Sequence, residues 1–502
     1  MRTKKKSDIL LKKTTLEIFC FFTAILIGLT NSFAQTQVGN DVDGEAEFDQ
    51  FGQSVSMPDS NTIAVGAPFN DDNGLDSGQV RIYFWNGTNW EQKSNDINGE
   101  SEGDQSGQSV SMPDSNTIAI GAPFNGGNGL DSGHVRVYSW NGTNWEQKGN
   151  DIDGESDEDQ SGKSVSMPDS DTIAIGAPFN DNNGLDSGHV RIYFWNGTNW
   201  EQKGNNIEGD SEGDEFGQSV SMPDSDTIAI GAPNTDDSGQ VRVYSWNGTN
   251  WEQKGADINA EGVAQFDNAG YSVSMPDDET IAVGAPLNDG INGFNSGHVR
   301  IYGWNGTNWE QKGDDIDGED QNDFSGESVT MPDANTVAIG ATRNDGSDVD
   351  SGHVRIYIWN GSIWEQIGED IDGEAELDLS GFSVCMPDIS TVAIGAPFND
   401  GNGTISGHVR VFDLSTLSLI EVEQSGFSIE AFPNPFKDYL TLKAQSPIKS
   451  VRVYSILGQI VFEESNFNVG TLTINLSSLS AGKYFVKIHT EEGTFSKKII
   501  KE

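Results

Sequence analysis

One octapeptide, G-x-S-V-x-M-P-D, occurs seven times in the chain at spacings of 53–56 residues. The copies begin at Gly52, Gly107, Gly162, Gly217, Gly270, Gly326 and Gly381. A period in this range, with strand-forming residues in every copy, is typical of a propeller or a solenoid. Seven regular copies favour a closed ring, so we predict an all-β fold: a seven-bladed β-propeller of four-stranded antiparallel blades.

The second copy shows how one repeat is expected to fold. Residues 108–112, 117–122, 133–140 and 145–148 are predicted to be strands, because they are rich in β-branched, aromatic or alternating apolar residues. Turn-forming residues separate these segments, among them Pro-Asp-Ser-Asn at 113–116 and Asn-Gly at 141–142. Four consecutive antiparallel strands make one propeller blade.

The ends of the array distinguish a ring from an open stack. Six copies carry a W-N-G-x-x-W-E-Q hairpin, but the seventh stops after residues 409–412 without one. Residues 37–44, Q-V-G-N-D-V-D-G, match the end of a repeat, Q-K-G-N-D-I-D-G at 147–154. We therefore predict that the N-terminal strand completes the last blade, which removes two exposed sheet edges. The alternative is that residues 417–422 supply this strand. A linear solenoid would show polar capping units, and the sequence has none.

Both ends of the chain differ from the array. Residues 1–34 combine a basic start, a short apolar stretch and Ser-Phe-Ala at 32–34, which predicts a secretory signal peptide; an uncleaved membrane anchor is the alternative. Cleavage after Ala34 would leave Cys385 as the one cysteine and no transmembrane segment in the mature chain. We assign residues 35–423 to the propeller and residues 424–502 to a tail domain, which has more lysine and no tryptophan.

The chain is strongly acidic. Its 78 Asp and Glu residues against 29 Lys and Arg give a net charge of −49, and the excess falls in the repeat array. Phosphate groups would be repelled by such a surface, which argues against nucleic acid as a partner. We expect the exported chain to be a monomer.

Further motifs recur around the octapeptide. Phe-Gly occurs at 51–52 and 216–217, a Gly-Ala-Pro triplet follows the second strand in six copies, and S-G-x-V-R-[IV]-[YF] begins the third strand in all seven. With these motifs the units resemble FG-GAP repeats, the blades of integrin-α-like propellers. The resemblance implies an extracellular adhesion or ligand-binding module. Many such repeats carry a D-x-D-x-D-G calcium loop between strands one and two, but here that turn is only Pro-Asp-Ser-Asn, as at 58–61.

The tail contains F-P-N-P-F at 432–436, V-Y-S-I-L-G-Q at 453–459 and L-S-S-L-S-A-G-K-Y at 476–484. It resembles a type IX secretion system C-terminal sorting domain, of the kind found in Bacteroidetes. The resemblance implies a small immunoglobulin-like β-sandwich, the type IX machinery as a partner, and a destination at the cell surface or outside the cell. The motif residues are Pro433, Asn434, Pro435, Gly458, Gly482 and Tyr484. The alternative is a generic β-sandwich binding module.

Strand order sorts the loops of the propeller into two ends. The connections from strand two to three and from strand four to the next strand one share one end. That end collects long polar loops, such as residues 70–76, and acidic segments, such as 151–159. Carboxylate oxygens bind hard cations, so this face is a candidate cation or ligand face, with calcium as the candidate cofactor. Its candidate residues are Asp72, Asp76, Asp131, Asp153, Asp186 and Asp372. The alternative is a solvated acidic surface that keeps the protein soluble.

Two repeated patterns have both a structural and a functional interpretation. Tryptophan pairs flank six N-G-x-x turns, and their recurrence favours hairpin clamps over platforms for sugar rings. One position of the third strand holds histidine in five blades and glutamine in two: His134, His189, His298, His353, His408, Gln79 and Gln240. Because glutamine substitutes for histidine, we predict a hydrogen-bonding structural role rather than metal ligation. The arginine two residues later is predicted to pair with carboxylates or blade edges.

Catalytic motifs are missing from the sequence: it has no nucleophile elbow, zinc-protease pair, phosphate loop or Cys–His couple. We therefore expect an exported binding or adhesion protein with a protein or glycan partner. The alternative is a secreted polysaccharide-degrading enzyme with carboxylates in the propeller funnel, and a structural matrix component is a third interpretation. An enzyme should place unrepeated acids or aromatics in the funnel; the unrepeated candidates are Tyr271, Arg343 and residues 262–266.

Overall fold

The computed structural model describes residues 35–259, 267–415, 430–455, 460–477, 479–480, 482–490 and 493–502. Within these ranges the chain forms seven antiparallel blades and a C-terminal β domain. A single 3-10 turn, Thr235–Asp237, accompanies the strands in the described ranges. No helix among the described residues has the length and hydropathy needed to span a bilayer. The predicted all-β, seven-bladed architecture is confirmed.

Each blade begins with an inner strand and a second strand joined by a Pro-Asp turn. The second strand buries all six of its residues, since neighbouring blades cover both of its faces. The inner strands are Ser54–Asp59, Ser109–Asp114, Ser164–Asp169, Ser219–Asp224, Ser272–Asp277, Ser325–Asp333 and Ser383–Asp388. The second strands are Thr62–Ala67, Thr117–Ala122, Thr172–Ala177, Thr227–Ala232, Thr280–Ala285, Thr336–Ala341 and Thr391–Ala396.

The third strand pairs with an outer strand that is divided in two. A Trp-Glu-Gln piece continues the hairpin, and a two-residue piece pairs with the start of the third strand. The third strands are Gln79–Trp85, His134–Trp140, His189–Trp195, Gln240–Trp246, His298–Trp304, His353–Trp359 and His408–Asp413. The outer pieces of the first six blades are Trp90–Gln92 with Ile97–Asn98, Trp145–Gln147 with Ile152–Asp153, Trp200–Gln202 with Ile207–Glu208, Trp251–Gln253 with Ile258–Asn259, Trp309–Gln311 with Ile316–Asp317, and Trp364–Gln366 with Ile371–Asp372.

The N-terminal segment supplies the outer strand of blade 7. Thr36–Gln37 and Val42–Asp43 pair antiparallel with His408–Asp413. The seam between blades 7 and 1 is closed as well, because Ser383 Oγ donates to the carbonyl of Gly52 at 2.7 Å. The predicted closure is confirmed. The alternative segment, residues 417–422, lies outside the described residues.

Hydrophobic cores lie between adjacent blades rather than inside them. One cluster combines Val135, Val137 and Ile152 of blade 2 with Ile173 and Ile175 of blade 3. Since each apolar face is covered by the next copy, burial stabilises the ring as a whole.

The end of the ring that carries the Pro-Asp and Asn-Gly turns is called the hairpin rim. In blade 3 the rings of Trp195 and Trp200 lie 5.4 Å apart. Lys148 of blade 2 places its Nζ 5.2 Å from both rings, and its carbonyl accepts a 2.8 Å hydrogen bond from Trp200 Nε1. The tryptophan pair therefore clamps its own hairpin, as predicted, and also joins neighbouring blades.

The C-terminal domain consists of antiparallel strands: Glu430–Phe432, Tyr439–Ser455, Ile460–Asn475, Gly482–Thr490 and Gly493–Lys501. Tyr439–Ser455 pairs with three of the other strands. Fully buried Leu440, Leu442, Val451 and Val453 of this strand form the centre of a core of its own.

Candidate functional site: the acidic rim

The opposite end of the propeller gathers the two acidic loop types. We call the loops between strands two and three, together with the segments that lead into the next inner strand, the acidic rim. The two loop types run side by side: Gly103 N–H donates to the carbonyl of Leu75 at 2.8 Å, and Phe48 N–H donates to that of Thr404 at 2.8 Å. The loop at Phe48 precedes blade 1 and that at Thr404 belongs to blade 7, so the rim continues across the closure seam.

A buried aspartate organises each rim segment, and sequence reasoning missed it. Asp49 is 2% exposed and accepts hydrogen bonds from the backbone of Ala46 and from Asn70 Nδ2, both at 3.1 Å. Burial raises its pKa, and these hydrogen bonds oppose the rise. The equivalent buried residues are Asp104, Asp159, Asp214, Asp267, Asp323 and Asp378. The recurring D-x-x-G signal before each octapeptide could have identified them.

Three residues predicted for the cation or ligand face stand where the backbone of the long loops has a positive φ. Asp76, Asp131 and Asp186 occupy one position of the long loops with positive φ values of 50–54°, where Asp is tolerated better than most residues. The pKa values of Asp76 and Asp186 are raised by partial burial and by neighbouring carboxylates. These three residues lie in different blades and do not form one site.

The other predicted face residues lie close to the third-strand position of histidine and glutamine. Asp72 accepts a 3.0 Å hydrogen bond from Gln79 Nε2. Asp153 is the strand partner of His134, and Asp372 is that of His353. In blade 2 a cavity of about 530 Å³ brings Asp131 and Asp153 together with His134, Asp151 and Glu100. The structure thus unites two predicted residues with a histidine that the sequence analysis assigned to structure.

The histidines are buried, and hydrogen bonding does not explain two of them. His134, His353 and His408 are each 1% exposed and His189 is fully buried. Neither ring nitrogen of His189 or His353 has a hydrogen-bond partner among the described residues, so the hydrogen-bonding interpretation is wrong for these two. The glutamines behave differently, since Gln240 Nε2 donates to Asn259 Oδ1 at 2.9 Å.

Burial, together with the arginine two residues later, lowers the pKa of four of the histidines. The pKa falls to about 4 at His134, His353 and His408 and to about 3 at His189. The imidazoles are therefore neutral at pH 7, and neutral imidazole is the form that binds metals.

The arginines pair as predicted with both blade edges and carboxylates. Arg355 Nη2 donates to the carbonyl of Asp317 in the preceding blade at 2.8 Å, and its Nη1 lies 3.5 Å from Glu319 Oε1. Arg300 is different because Nε and Nη2 bind the two oxygens of Asp315 at 2.8 Å each.

Unrepeated polar residues stand at the starts of three inner strands, where the sequence analysis looked for funnel groups. The residue after the first glycine of the octapeptide is Lys163 in blade 3, Tyr271 in blade 5 and Glu327 in blade 6. Burial, with the Glu327 and Glu215 carboxylates beside it, raises the pKa of Tyr271 to about 12. Burial also raises the pKa of Glu215 and Glu327. Arg343 lies over the ring of Phe324 at 5.0 Å, and residues 262–266 lie outside the described residues.

The predicted sorting motif lies at the turns of the C-terminal domain. Asn434, between Pro433 and Pro435, accepts a 2.8 Å hydrogen bond from the backbone of Ile500. Gly482 begins a strand, and the Tyr484 hydroxyl donates to the carbonyl of Ser480 at 2.9 Å. Gly458 lies outside the described residues.

Family models match both parts of the chain. The FG-GAP repeat model matches residues 41–83, 151–193, 208–244 and 251–302. The secretion system C-terminal sorting domain model matches residues 430–502. No curated protein matches the chain.

The chain is also similar to solved structures of low sequence identity. A putative 6-phosphogluconolactonase from Bacteroides uniformis is 11% identical, with a TM-score of 0.45 over 64% of this chain and 86% of that one. Acylaminoacyl peptidase from Pyrococcus horikoshii is 13% identical, with a TM-score of 0.40 over 80% of this chain and 61% of that one. The β-propeller domain of the Trilobed protease from Pyrococcus furiosus is 14% identical, with a TM-score of 0.37 over 72% and 91%.

Proposed function

We propose that this chain, which carries FG-GAP repeats in its propeller and a type IX sorting domain at its C-terminus, is an exported binding or adhesion protein whose acidic rim meets a protein or glycan partner. The sorting domain indicates export to the cell surface or secretion. Residues 1–34, which lie outside the described residues, would serve as the signal peptide, residues 35–423 as the binding propeller, and residues 424–502 as the sorting tail.

Exposed apolar side chains on the acidic rim carry this proposal. Leu75, Leu130 and Leu185 occupy the tips of equivalent loops and are 58–66% exposed; Phe294 and Val349 follow in blades 5 and 6. Five of the loop tips thus hold a large exposed apolar side chain. A surface that only keeps the protein soluble does not need these side chains, whereas a partner can bury them on binding. The chemistry fits a partner that offers basic and apolar groups together.

The test is a binding screen of the full-length chain against surface proteins and glycans, with calcium and with chelator. A triple L75S/L130S/L185S variant should lose at least about tenfold in affinity, as expected for removal of several contact residues. Ile363 and Ile389 are also about half exposed but lie in turns of the hairpin rim, so I363S/I389S is the matched control. Equal loss in both variants, or in neither, would refute the proposed face.

The funnel supports a second candidate function. Glu215 and Glu327 are half-buried carboxyl groups with raised pKa values at unrepeated positions, and a carboxyl pair with tuned pKa values is what glycoside hydrolysis requires. Release of reducing sugar from a polysaccharide panel, abolished by Glu327→Gln and kept in L75S/L130S/L185S, would establish the enzyme. Absence of turnover across the panel would leave the binding function alone.

A further inference from the structure

We propose that blades 2, 6 and 7 each bind a divalent transition metal of the zinc class between a histidine and two carboxylates on the acidic rim. We call these sets the zinc triads. They are Glu100–His134–Asp151, Glu319–His353–Asp370 and Glu374–His408–Asp41. Metal binding is measured apart from partner binding, so this inference stands or falls independently of the proposed function.

The spacing within a triad suits metal ligands better than hydrogen bonds. In blade 6, His353 Nδ1 lies 3.8 Å from Asp370 Oδ2, which exceeds hydrogen-bond distance. One ligand atom from each triad residue lies within 4.8 Å of the other two. A point between three such atoms is at most about 2.8 Å from each, and zinc requires about 2.0–2.2 Å, so a small inward movement of the side chains completes the site.

The second oxygen of each carboxylate is held by a neighbour, which orients the first oxygen toward the histidine. Asp370 Oδ1 accepts a 2.6 Å hydrogen bond from Gln366 Nε2, while Oδ2 faces His353. In blade 7, Glu374 Oε1 lies 3.7 Å from Arg410, while Oε2 lies 4.0 Å from His408 Nδ1. Such outer partners of ligating carboxylates are a regular feature of protein metal sites.

The histidines give independent evidence for a ligand. His353 is 1% exposed, and within the described part of the chain neither of its ring nitrogens has a hydrogen-bond partner, although Nδ1 faces Asp370. His134 and His408 likewise have an unpartnered buried Nε2. A buried polar group without a partner is costly, and at His353 coordination of the facing Nδ1 would offset part of this cost. At His134 and His408 the nitrogen that faces the carboxylates is Nδ1 rather than Nε2. Imidazole also selects the metal class, since Ca²⁺ takes oxygen ligands whereas zinc takes nitrogen and carboxylate oxygen.

Other blades provide natural controls. They have the same strands and loops, but one triad residue is replaced or its carboxylate oxygens are already bound to an arginine. Blade 1 has Gln79 at the histidine position beside Glu45 and Asp96. Blade 3 has Asn206 where a triad has aspartate, and its His189 Nδ1 instead lies 3.8 Å from both Glu155 and Glu208. In blade 5 both oxygens of Asp315 are bound to Arg300. We therefore expect no zinc triad in a blade that has glutamine at the histidine position.

Blade 7 gives the proposal a structural consequence. Its aspartate, Asp41, comes from the N-terminal segment, whereas Glu374 and His408 come from the far end of the array. Gln37 holds Asp41 Oδ1 at 2.6 Å. A metal ion in this triad would bind both sides of the closure seam and stabilise the ring against opening there.

Equilibrium dialysis of the full-length chain against zinc, followed by elemental analysis, tests the proposal. We expect about three ions per chain in the wild type, about two in His353→Gln, and none in H134Q/H353Q/H408Q. Asn206→Asp should add about one ion by giving blade 3 the aspartate of a triad. Cobalt should give a visible absorption band that falls in step with the zinc count.

Glutamine is the replacement of choice because blades 1 and 4 hold it at this position. Far-UV circular dichroism without metal checks the fold of each variant; if the triple variant unfolds, each single variant must still lose one ion. Zinc binding that is unchanged in His353→Gln, or calcium binding without zinc binding, would overturn the proposal.

Discussion

The two ends of the propeller are built from the same repeats but vary to different degrees. At the hairpin rim, six copies present nearly identical tryptophan pairs at 5.3–5.5 Å. At the acidic rim, loop tips, carboxylates and the histidine position differ from blade to blade. A feature that every copy keeps serves packing that every blade needs, and selective chemistry is found where the copies differ.

The largest expected effect on the free energy of unfolding is at the hairpin rim. Trp200→Ala removes a ring partner, the stacking of Lys148 and the hydrogen bond to the Lys148 carbonyl. We expect the free energy of unfolding to fall by about 2–4 kcal/mol, because a large, partly buried side chain is lost, while partner and zinc binding persist. Urea denaturation measures the loss. A stable Trp200→Ala variant that no longer binds its partner would show that the hairpin rim, rather than the acidic rim, carries partner binding.

A smaller effect is expected inside the acidic rim, at a position that every blade shares. Asp49→Ala removes an acceptor from Ala46 N–H and from the buried Asn70 amide. The free energy of unfolding should fall by about 1–3 kcal/mol. Asp49→Asn keeps an acceptor oxygen and should lose less. Equal losses in the two variants would show that charge rather than hydrogen bonding is needed there.

Burial of His189 should lower the free energy of unfolding by about 2 kcal/mol at pH 5, relative to neutral pH. Burial lowers the pKa of His189 to about 3, below its unfolded value of 6.5, so the folded state binds fewer protons in that interval. The contribution of neutral His189 to the free energy of unfolding is complete above pH 6.5 and is lost as the pH falls toward 3. His189→Gln should remove this pH dependence, and Glu155 and Glu208 lie near this position in both proteins.

Chemical denaturation of the wild type and His189→Gln at pH 7 and pH 5 measures the difference. We expect the free energy of unfolding to fall less in the variant than in the wild type between pH 7 and pH 5. Parallel changes in the two proteins would mean that His189 titrates normally in the folded state.

The smallest effect on stability belongs to the loop tips. Leu75 is 59% exposed, so Leu75→Ser should change the free energy of unfolding by no more than about 0.5 kcal/mol. The same substitution should weaken partner binding measurably. A destabilised protein with intact binding would make Leu75 a packing residue.

Repeated local patterns made much of the fold predictable. The run Thr117–Ala122, the Asn-Gly turns and the match between residues 37–44 and 147–154 each indicate a strand, a turn or the closure directly. The two-residue outer pieces such as Ile152–Asp153 were missed, because so short a pairing depends on its partner strand and leaves no periodicity of its own.

The candidate site was predictable only in part. The acidic end follows from strand order, and Asp153 and Asp372 lie beside histidines. The triads could not be predicted, because Glu100, His134 and Asp151 are far apart in sequence and meet through the pairing and stacking of blades. The buried Asp49 escaped because burial of a carboxylate depends on donors from another loop.

Hydrogen–deuterium exchange of the full-length chain, with and without a partner from the binding screen, tests the division between the two ends most directly. We predict slower exchange in the acidic-rim loops, residues 70–78, 125–133 and 180–188, and unchanged exchange in the Asn-Gly turns. Protection confined to the Asn-Gly turns would contradict the account.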